Sequence, residues 1–182
     1  MSKNGLILLT PTSVTYSGTS ATISANGSVE FLACFSLRLN GVFSADYDNY
    51  MVVLRGISNS DIDVRCRLSL SGVDATATNY TKQQLAANGS TVSGSRLTSQ
   101  DHFDIGVLAS ANMSASILWF YGPALAQPSA FRYVGASGYL GAYLVDETST
   151  HSVSTAYDGF NFYDNGLNEN MTGRVAVYGM RK

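Results

Sequence analysis

The residue types that most often carry out catalysis are sparse in this sequence. His102 and His151 are the two histidines, and neither is followed by another His or a Cys at the spacing of a metal site. Each stands alone in a polar stretch, which predicts surface positions. Cys34 and Cys66 form no C-x-x-C pair and are predicted to be buried small apolar residues. We therefore predict a protein without catalytic residues, metal or cofactor.

Acidic residues cluster in two predicted loops, Asp46–Asn49 and Asp158–Asp164. Because paired carboxylates catalyse glycoside hydrolysis, these loops keep a glycan hydrolase open as the least favoured alternative. The first loop resembles a fragment of a calcium-binding loop, but it lacks the glycine and the distant glutamate of such a loop.

Aromatic side chains are concentrated between residues 157 and 163, beside carboxylate and amide groups. Aromatic platforms flanked by such polar groups suit contact with carbohydrate or protein. In the alternative, Phe160 and Phe162 face the core of a strand and the tyrosines alone are exposed. The candidate binding residues are Tyr157, Asp158, Tyr163, Asp164 and Asn165.

The composition favours β-structure and argues against two classes of partner. Charged residues make up 13% of the chain, whereas an average domain has about 25%. Small polar residues and glycine, which disfavour helices, take their place. The net charge is −2, the pI is near 5.5 and the basic residues are scattered, so we predict no nucleic-acid binding. No apolar stretch approaches 18 residues, so we predict no membrane span.

Alternating apolar and polar residues predict strands, and closely spaced turn signals separate them. The clearest strand is Ile62–Leu70, and Asn88-Gly89 predicts a hairpin between its flanking runs. Ile117–Tyr121 is apolar on both faces, which is typical of a central strand covered on both sides, by a second sheet or by another subunit. Such short strands with frequent turns predict an all-β fold, an antiparallel β-sandwich that is jelly-roll-like. Further strands are predicted at Val29–Phe35, Tyr50–Arg55 and Arg174–Gly179.

The first 28 residues are richer in Thr, Ser and Gly than the rest. We assign residues 1–28 to an extended N-terminal arm or to the first strands of the domain, and residues 29–182 to the β-sandwich domain. In an arm, the apolar run would pair with the sheet edge of a neighbouring molecule and act in assembly. Deleting residues 1–20 would then leave a folded domain. That run, too short for a signal-peptide core, is Leu6, Ile7, Leu8 and Leu9.

Several blocks of the sequence resemble small virion structural proteins of tailed bacteriophages, of the minor tail, fibre or capsid-decoration type. The blocks are Leu39–Tyr50, Phe120–Pro128, Tyr157–Phe160 and Met171–Gly179. The resemblance covers most of the chain from residue 29 onward and marks no active site. It implies a non-enzymatic component displayed on the surface of a virion that is assembled in the host cytoplasm.

The same resemblance implies a jelly-roll fold, a homotrimer and contacts with other virion proteins. It leaves the position on the particle open between a tail or fibre tip and the capsid. A surface with so little charge is consistent with association. The alternative function is a carbohydrate-binding module for receptor recognition, in which a host surface glycan contacts the residues around Tyr157 and Tyr163.

Overall fold

The structure, a computed structural model, describes residues 5–139, 142–166 and 168–181. Most of these residues lie in β-strands, and no α-helix occurs among them, nor any helix able to span a membrane. The strands are β1 (Leu6–Leu9), β2 (Ser13–Ile23), β3 (Val29–Asn40), β4 (Tyr47–Ser58), β5 (Ile62–Leu70), β6 (Val73–Asp74), β7 (Tyr80–Asn88), β8 (Thr91–Gln100), β9 (Phe103–Leu108), β10 (Ser114–Tyr121), β11 (Ser129–Ser137), β12 (Tyr143–His151), β13 (Gly159–Asp164) and β14 (Met171–Arg181). The predicted all-β fold is confirmed.

The strands form an antiparallel sandwich of two layers. The large sheet has the order β14-β4-β10-β11-β12-β7-β8, with β1 paired to β14. The small sheet has the order β6-β5-β13-β3, with β9 paired to β5 and β2 paired to β3. Between the layers, the Phe103 ring of β9 stacks on the Phe131 ring of β11 with centroids 4.3 Å apart. The Phe120 ring of β10 also contacts the Phe160 ring of β13 between the layers, in a tilted arrangement with centroids 5.3 Å apart.

Strand β3 connects the two layers because it bends in its middle. Its first half, up to Cys34, pairs with β14, and its second half, from Ser36, pairs with β13. Ala33 has a φ of 48° at the bend, and β2 follows the bend with a register shift at Gly18. A Cβ on Gly18 would lie 2.2 Å from the Ala33 carbonyl oxygen, so the close approach of the two strands requires glycine there.

The N-terminal segment lies within the sandwich. Strand β1 pairs with β14 from Leu6 to Leu9, and β2 pairs with β3 along almost its whole length. Of the four apolar side chains of β1, Leu6 is exposed and the other three are half-buried. Residues 6–9 and 13–23 are therefore strands of the sandwich in this structure, the second of the two predicted alternatives; residues 1–4 lie outside the described part of the chain.

Candidate functional site

Three aromatic side chains, one exposed (Tyr121) and two half-buried (Trp119 and Tyr178), lie in register on the outer face of the large sheet. Residues directly opposite one another in antiparallel strands project to the same face of the sheet. Trp119 of β10 lies opposite Met51 of β4 on one side and Arg132 of β11 on the other. Met51 in turn lies opposite Tyr178 of β14. These four residues thus form one row across four neighbouring strands.

A second row lies beside the first and adds another aromatic ring. Tyr121 follows Trp119 by two residues, which places it about 7 Å further along the strand on the same face. It lies opposite Asn49 and is 42% exposed. Tyr178 is two strands away from Trp119, a distance of about 10 Å. Trp119, Tyr121 and Tyr178 are called the aromatic platform below.

The alternation of β10 fixes the direction in which these rings project. Leu118 and Phe120, the neighbours of Trp119, are 2% and 0% exposed and point into the sandwich. Because successive side chains of a strand point to opposite faces, Trp119 and Tyr121 must point outward. The prediction that both faces of the Trp119 strand are covered is thus confirmed for the inner face, and cover of the outer face by another subunit stays a prediction.

Polar groups adjoin the platform on its β11 side. The Arg132 guanidinium donates two hydrogen bonds to Asp146, from Nε to Oδ1 at 2.9 Å and from Nη2 to Oδ2 at 2.6 Å. This bidentate pair holds the pKa of Asp146 below its ordinary value. It uses two of the five guanidinium N–H groups, which leaves donors for a ligand. The pair lies directly beside Trp119 on an exposed surface.

An apolar strip borders the platform in the next row of the sheet. Ile117, which is 40% exposed, lies opposite Val53 of β4 and Val134 of β11. The outer face therefore combines aromatic rings, an apolar strip and a charged pair within a few strand spacings. A flat surface of this kind can pack against a ligand that has both apolar faces and hydroxyl groups.

The candidate binding residues taken from the sequence lie in the interior for the most part. Tyr157 and Tyr163 are 7% and 6% exposed, and Phe160 and Phe162 are 0% exposed. The assignment of the phenylalanines to the core is thus confirmed, whereas exposure of the tyrosines is wrong. The reason is that β13 lies between β5 and β3, and the Arg67 guanidinium covers the Tyr163 ring at 4.8 Å.

The polar members of the same set have structural partners. The Asp158 carboxylate accepts hydrogen bonds from the Ser71 backbone N–H, at 3.0 and 3.1 Å. The Asp164 carboxylate accepts bonds from three backbone N–H groups of the turn that follows β13. Asn165 is exposed at that turn. The structure therefore does not gather these five residues into one accessible surface.

Both histidines are buried, which corrects the prediction of surface positions. His102 is 4% exposed, and its Nδ1 lies 2.6 Å from Asp101. His151 is 1% exposed and packs against the Tyr80 ring at 4.3 Å. Burial lowers the pKa of both imidazoles. Cys34 and Cys66 are buried free thiols, and no metal-holding group of His, Cys, Asp or Glu occurs among the described residues.

A buried ionic network, which the sequence did not predict, joins the two sheets. Lys82 of β7 forms an ion pair with Asp104 of β9. The Asp104 backbone N–H donates to Glu147 of β12 at 3.2 Å, and the Ser149 hydroxyl donates to the same carboxylate at 3.1 Å. Glu147 is 1% exposed. Burial, reinforced by the nearby Asp104 carboxylate, raises the pKa of Glu147 to about 8.

Comparison with known proteins gives only weak similarities. No protein-family model matches the sequence, and no curated protein matches it. Among solved structures, a family 29 carbohydrate-binding module from Piromyces equi is 9% identical, with a TM-score of 0.30, over 96% of this chain and 89% of that one. Domain 4 of AbnA, a GH43 extracellular arabinanase from Geobacillus stearothermophilus solved with arabinotriose, is 11% identical, with a TM-score of 0.32, over 93% and 82%.

A third solved structure is SCLam, a non-specific endo-β-1,3(4)-glucanase of family GH16. It is 11% identical, with a TM-score of 0.26, over 81% of this chain and 63% of that one. TM-scores of this size establish neither a shared ligand nor a shared activity for the three proteins and this chain. A proposal for the function must therefore rest on the residues of the outer sheet face.

Proposed function

We propose that the protein binds carbohydrate through the aromatic platform and does not catalyse a reaction. The single observation behind this proposal is that Trp119, Tyr121 and Tyr178 share the outer face of the large sheet, with the Arg132–Asp146 pair beside them. Aromatic rings pack against the apolar face of a sugar ring, and a charged bidentate pair offers both donors and acceptors to its hydroxyls.

A non-catalytic role is supported by the position of the closely paired carboxylates. Asp104 and Glu147 lie together between the sheets, and Glu147 is 1% exposed. A glycosidic bond would need to reach both carboxyl groups for hydrolysis. The platform lies on the opposite side of the large sheet, because Glu147 points inward and Trp119 points outward. A sugar bound on the platform is thus separated from these carboxylates by the sheet itself.

Binding should be measured through the fluorescence of Trp119, which is the single tryptophan of the chain. Glucans, galactans, mannans and bacterial surface polysaccharides are titrated into the protein. At least one of them should shift or quench the emission, and retardation in affinity gels should identify the same one. If no member of this panel changes the fluorescence or the mobility, the proposal is wrong.

The contribution of each ring follows from its exposed area. A tyrosine side chain with 42% exposure, such as Tyr121, presents about 80 Å², of which a sugar covers roughly half. At about 25 cal/mol per Å² this is about 1 kcal/mol, or about fivefold in Kd. Tyr121→Ala should weaken binding by that factor, while Tyr16→Ala, at an equally exposed tyrosine of β2, should leave it unchanged.

Assembly into a phage virion, which the sequence resemblance implies, is a second proposal. The exposed apolar side chains outside the platform support it, because such side chains suit protein contacts; they include Leu6, Leu32, Leu85, Val92 and Leu144. If the protein is a virion component, gel analysis of purified particles should detect it, in few copies at a tail tip or in tens to hundreds on a capsid. Its absence from the particles would exclude this role.

A further inference from the structure

Strand β8 is the exposed end of the large sheet. It pairs with β7, and nine of its ten residues, from Thr91 to Ser99, are exposed. Its regular pairing extends from Thr91 to Leu97, after which the register shifts. This stretch contains no proline and one charged residue, Arg96. Long exposed edges of this kind offer unpaired backbone groups to another strand.

The hairpin determines which backbone groups point away from β7. Asn88 and Thr91 flank the two-residue loop Gly89-Ser90, and such flanking residues form a hydrogen-bonded pair. Since hydrogen-bonded and non-hydrogen-bonded pairs alternate, Val92, Gly94 and Arg96 present their N–H and C=O groups to the open edge. The side chains of Val92 and Arg96 project to the outer face, in line with Ala87 and Gln83, while Gly94, opposite Leu85, has no side chain.

We propose that β8 pairs antiparallel with β8 of a second copy of this chain, around a two-fold axis at Gly94. The axis is perpendicular to the sheet, because only then do opposed residues of the two copies project to the same face. In this register Gly94 lies opposite the partner's Gly94, and Val92 lies opposite the partner's Arg96. The two copies then form one continuous sheet.

The sequence of β8 is complementary to itself in this register. The two Arg96 side chains are separated by four residues along the pair, about 13 Å, so no like charges lie opposite one another. Because Gly94 lies at the two-fold axis, no side chains meet where the two strands lie closest to that axis. The other long edge, β2, is less suitable because its bend and bulge at Gly18 interrupt a straight pairing.

The symmetry has a consequence for carbohydrate binding, and this consequence rests on the proposed function. A perpendicular two-fold axis leaves both outer faces on the same side of the joined sheet. Nine strand spacings separate β10 of one copy from β10 of the other, a distance of about 43 Å. A dimer therefore has two platforms, and a polysaccharide with many identical units can bind to both with increased avidity.

The dimer is tested first without any carbohydrate, by sedimentation equilibrium from 1 to about 200 µM, the range expected for a small interface. The mass should rise from 19.4 kDa toward twice that value. Gly94→Pro removes an N–H that β7 does not use, so it should keep the fold and remain monomeric. Gly94→Ala is the matched control: it keeps the N–H, its Cβ has ordinary contact with Gln84, and it should still form the dimer.

The register is tested by charge. Val92→Glu places a carboxylate opposite the partner's Arg96 and should tighten the dimer several-fold. Adding Arg96→Glu to Val92→Glu places like charges opposite one another and should abolish it. A wild-type mass that stays monomeric at all concentrations, a trimer mass, or dimerisation that Gly94→Pro does not affect would each overturn the proposal. Binding by the monomeric Gly94→Pro protein, measured by Trp119 fluorescence, tests the platform independently.

Discussion

Replacing Glu147 by glutamine should make the stability of the domain less dependent on pH. The carboxyl group is 1% exposed, lies beside Asp104, and has a pKa of about 8, whereas its ordinary value is 4.5. Between these two values the unfolded chain has an ionised Glu147, while the folded protein keeps it protonated. The folded state therefore binds the additional proton.

The direction in which the free energy of unfolding changes with pH follows from this difference in bound protons. Because the folded pKa is raised, the stabilisation is fully present below pH 4.5 and is lost as the pH rises toward 8. The slope for one proton is at most about 1.4 kcal/mol per pH unit. Glu147→Gln keeps an acceptor for the Asp104 N–H and the Ser149 hydroxyl, and it has no proton to lose.

The assay is urea unfolding at pH 5, 6, 7 and 8, with the free energy of unfolding compared between the two proteins. The difference between Glu147→Gln and wild type should grow in favour of the variant at each step toward pH 8. Glu30→Gln, at an exposed glutamate of β3, is the control and should follow the wild-type profile. Parallel profiles for Glu147→Gln and wild type would refute the reasoning that Glu147 is protonated in the folded protein.

Two further predictions concern the bend between the sheets and the N-terminal strands. Gly18→Ala should lower the free energy of unfolding by more than about 2 kcal/mol, because its Cβ would meet the Ala33 carbonyl oxygen at 2.2 Å where φ is +132°; unchanged urea unfolding would contradict this. Deleting residues 1–23 should prevent cooperative thermal unfolding, since it removes β1 and the whole β2–β3 pairing; a sharp transition near the wild-type Tm would instead support a dispensable arm.

The strands were predictable where one face of the strand is exposed to solvent and the other is buried. Ile62–Leu70 alternates strictly, and β5 has those same bounds. The hairpin predicted at Asn88-Gly89 is present because Gly89, the first residue of the loop Gly89-Ser90, adopts the positive φ of 57° that such a turn requires. Strands β3 and β4 extend well beyond their predicted ends, because pairing with neighbours on both sides continues there, with β13 and β2 for β3 and with β14 and β10 for β4.

The buried ionic network could not be predicted because no local spacing encodes it. Lys82 and Asp104 are separated by 22 residues, and Asp104 and Glu147 by 43. The sandwich brings β7, β9 and β12 together, so their charged side chains meet only after the fold has formed. The same holds for Tyr163, whose burial depends on Arg67 of a neighbouring strand and not on its own segment.

Strand β10 shows why a two-sided apolar strand is ambiguous in a sequence. Either a second protein layer covers its outer face, or that face receives a ligand, and both require apolar residues at the same positions. The neighbouring strands distinguish the two cases. The core of a subunit interface is depleted of charged residues, whereas Trp119 has the Arg132–Asp146 pair directly beside it and Asn49 lies next to Tyr121. Because desolvating such groups against an apolar subunit face is costly, a hydroxyl-rich ligand fits this part of the sheet better.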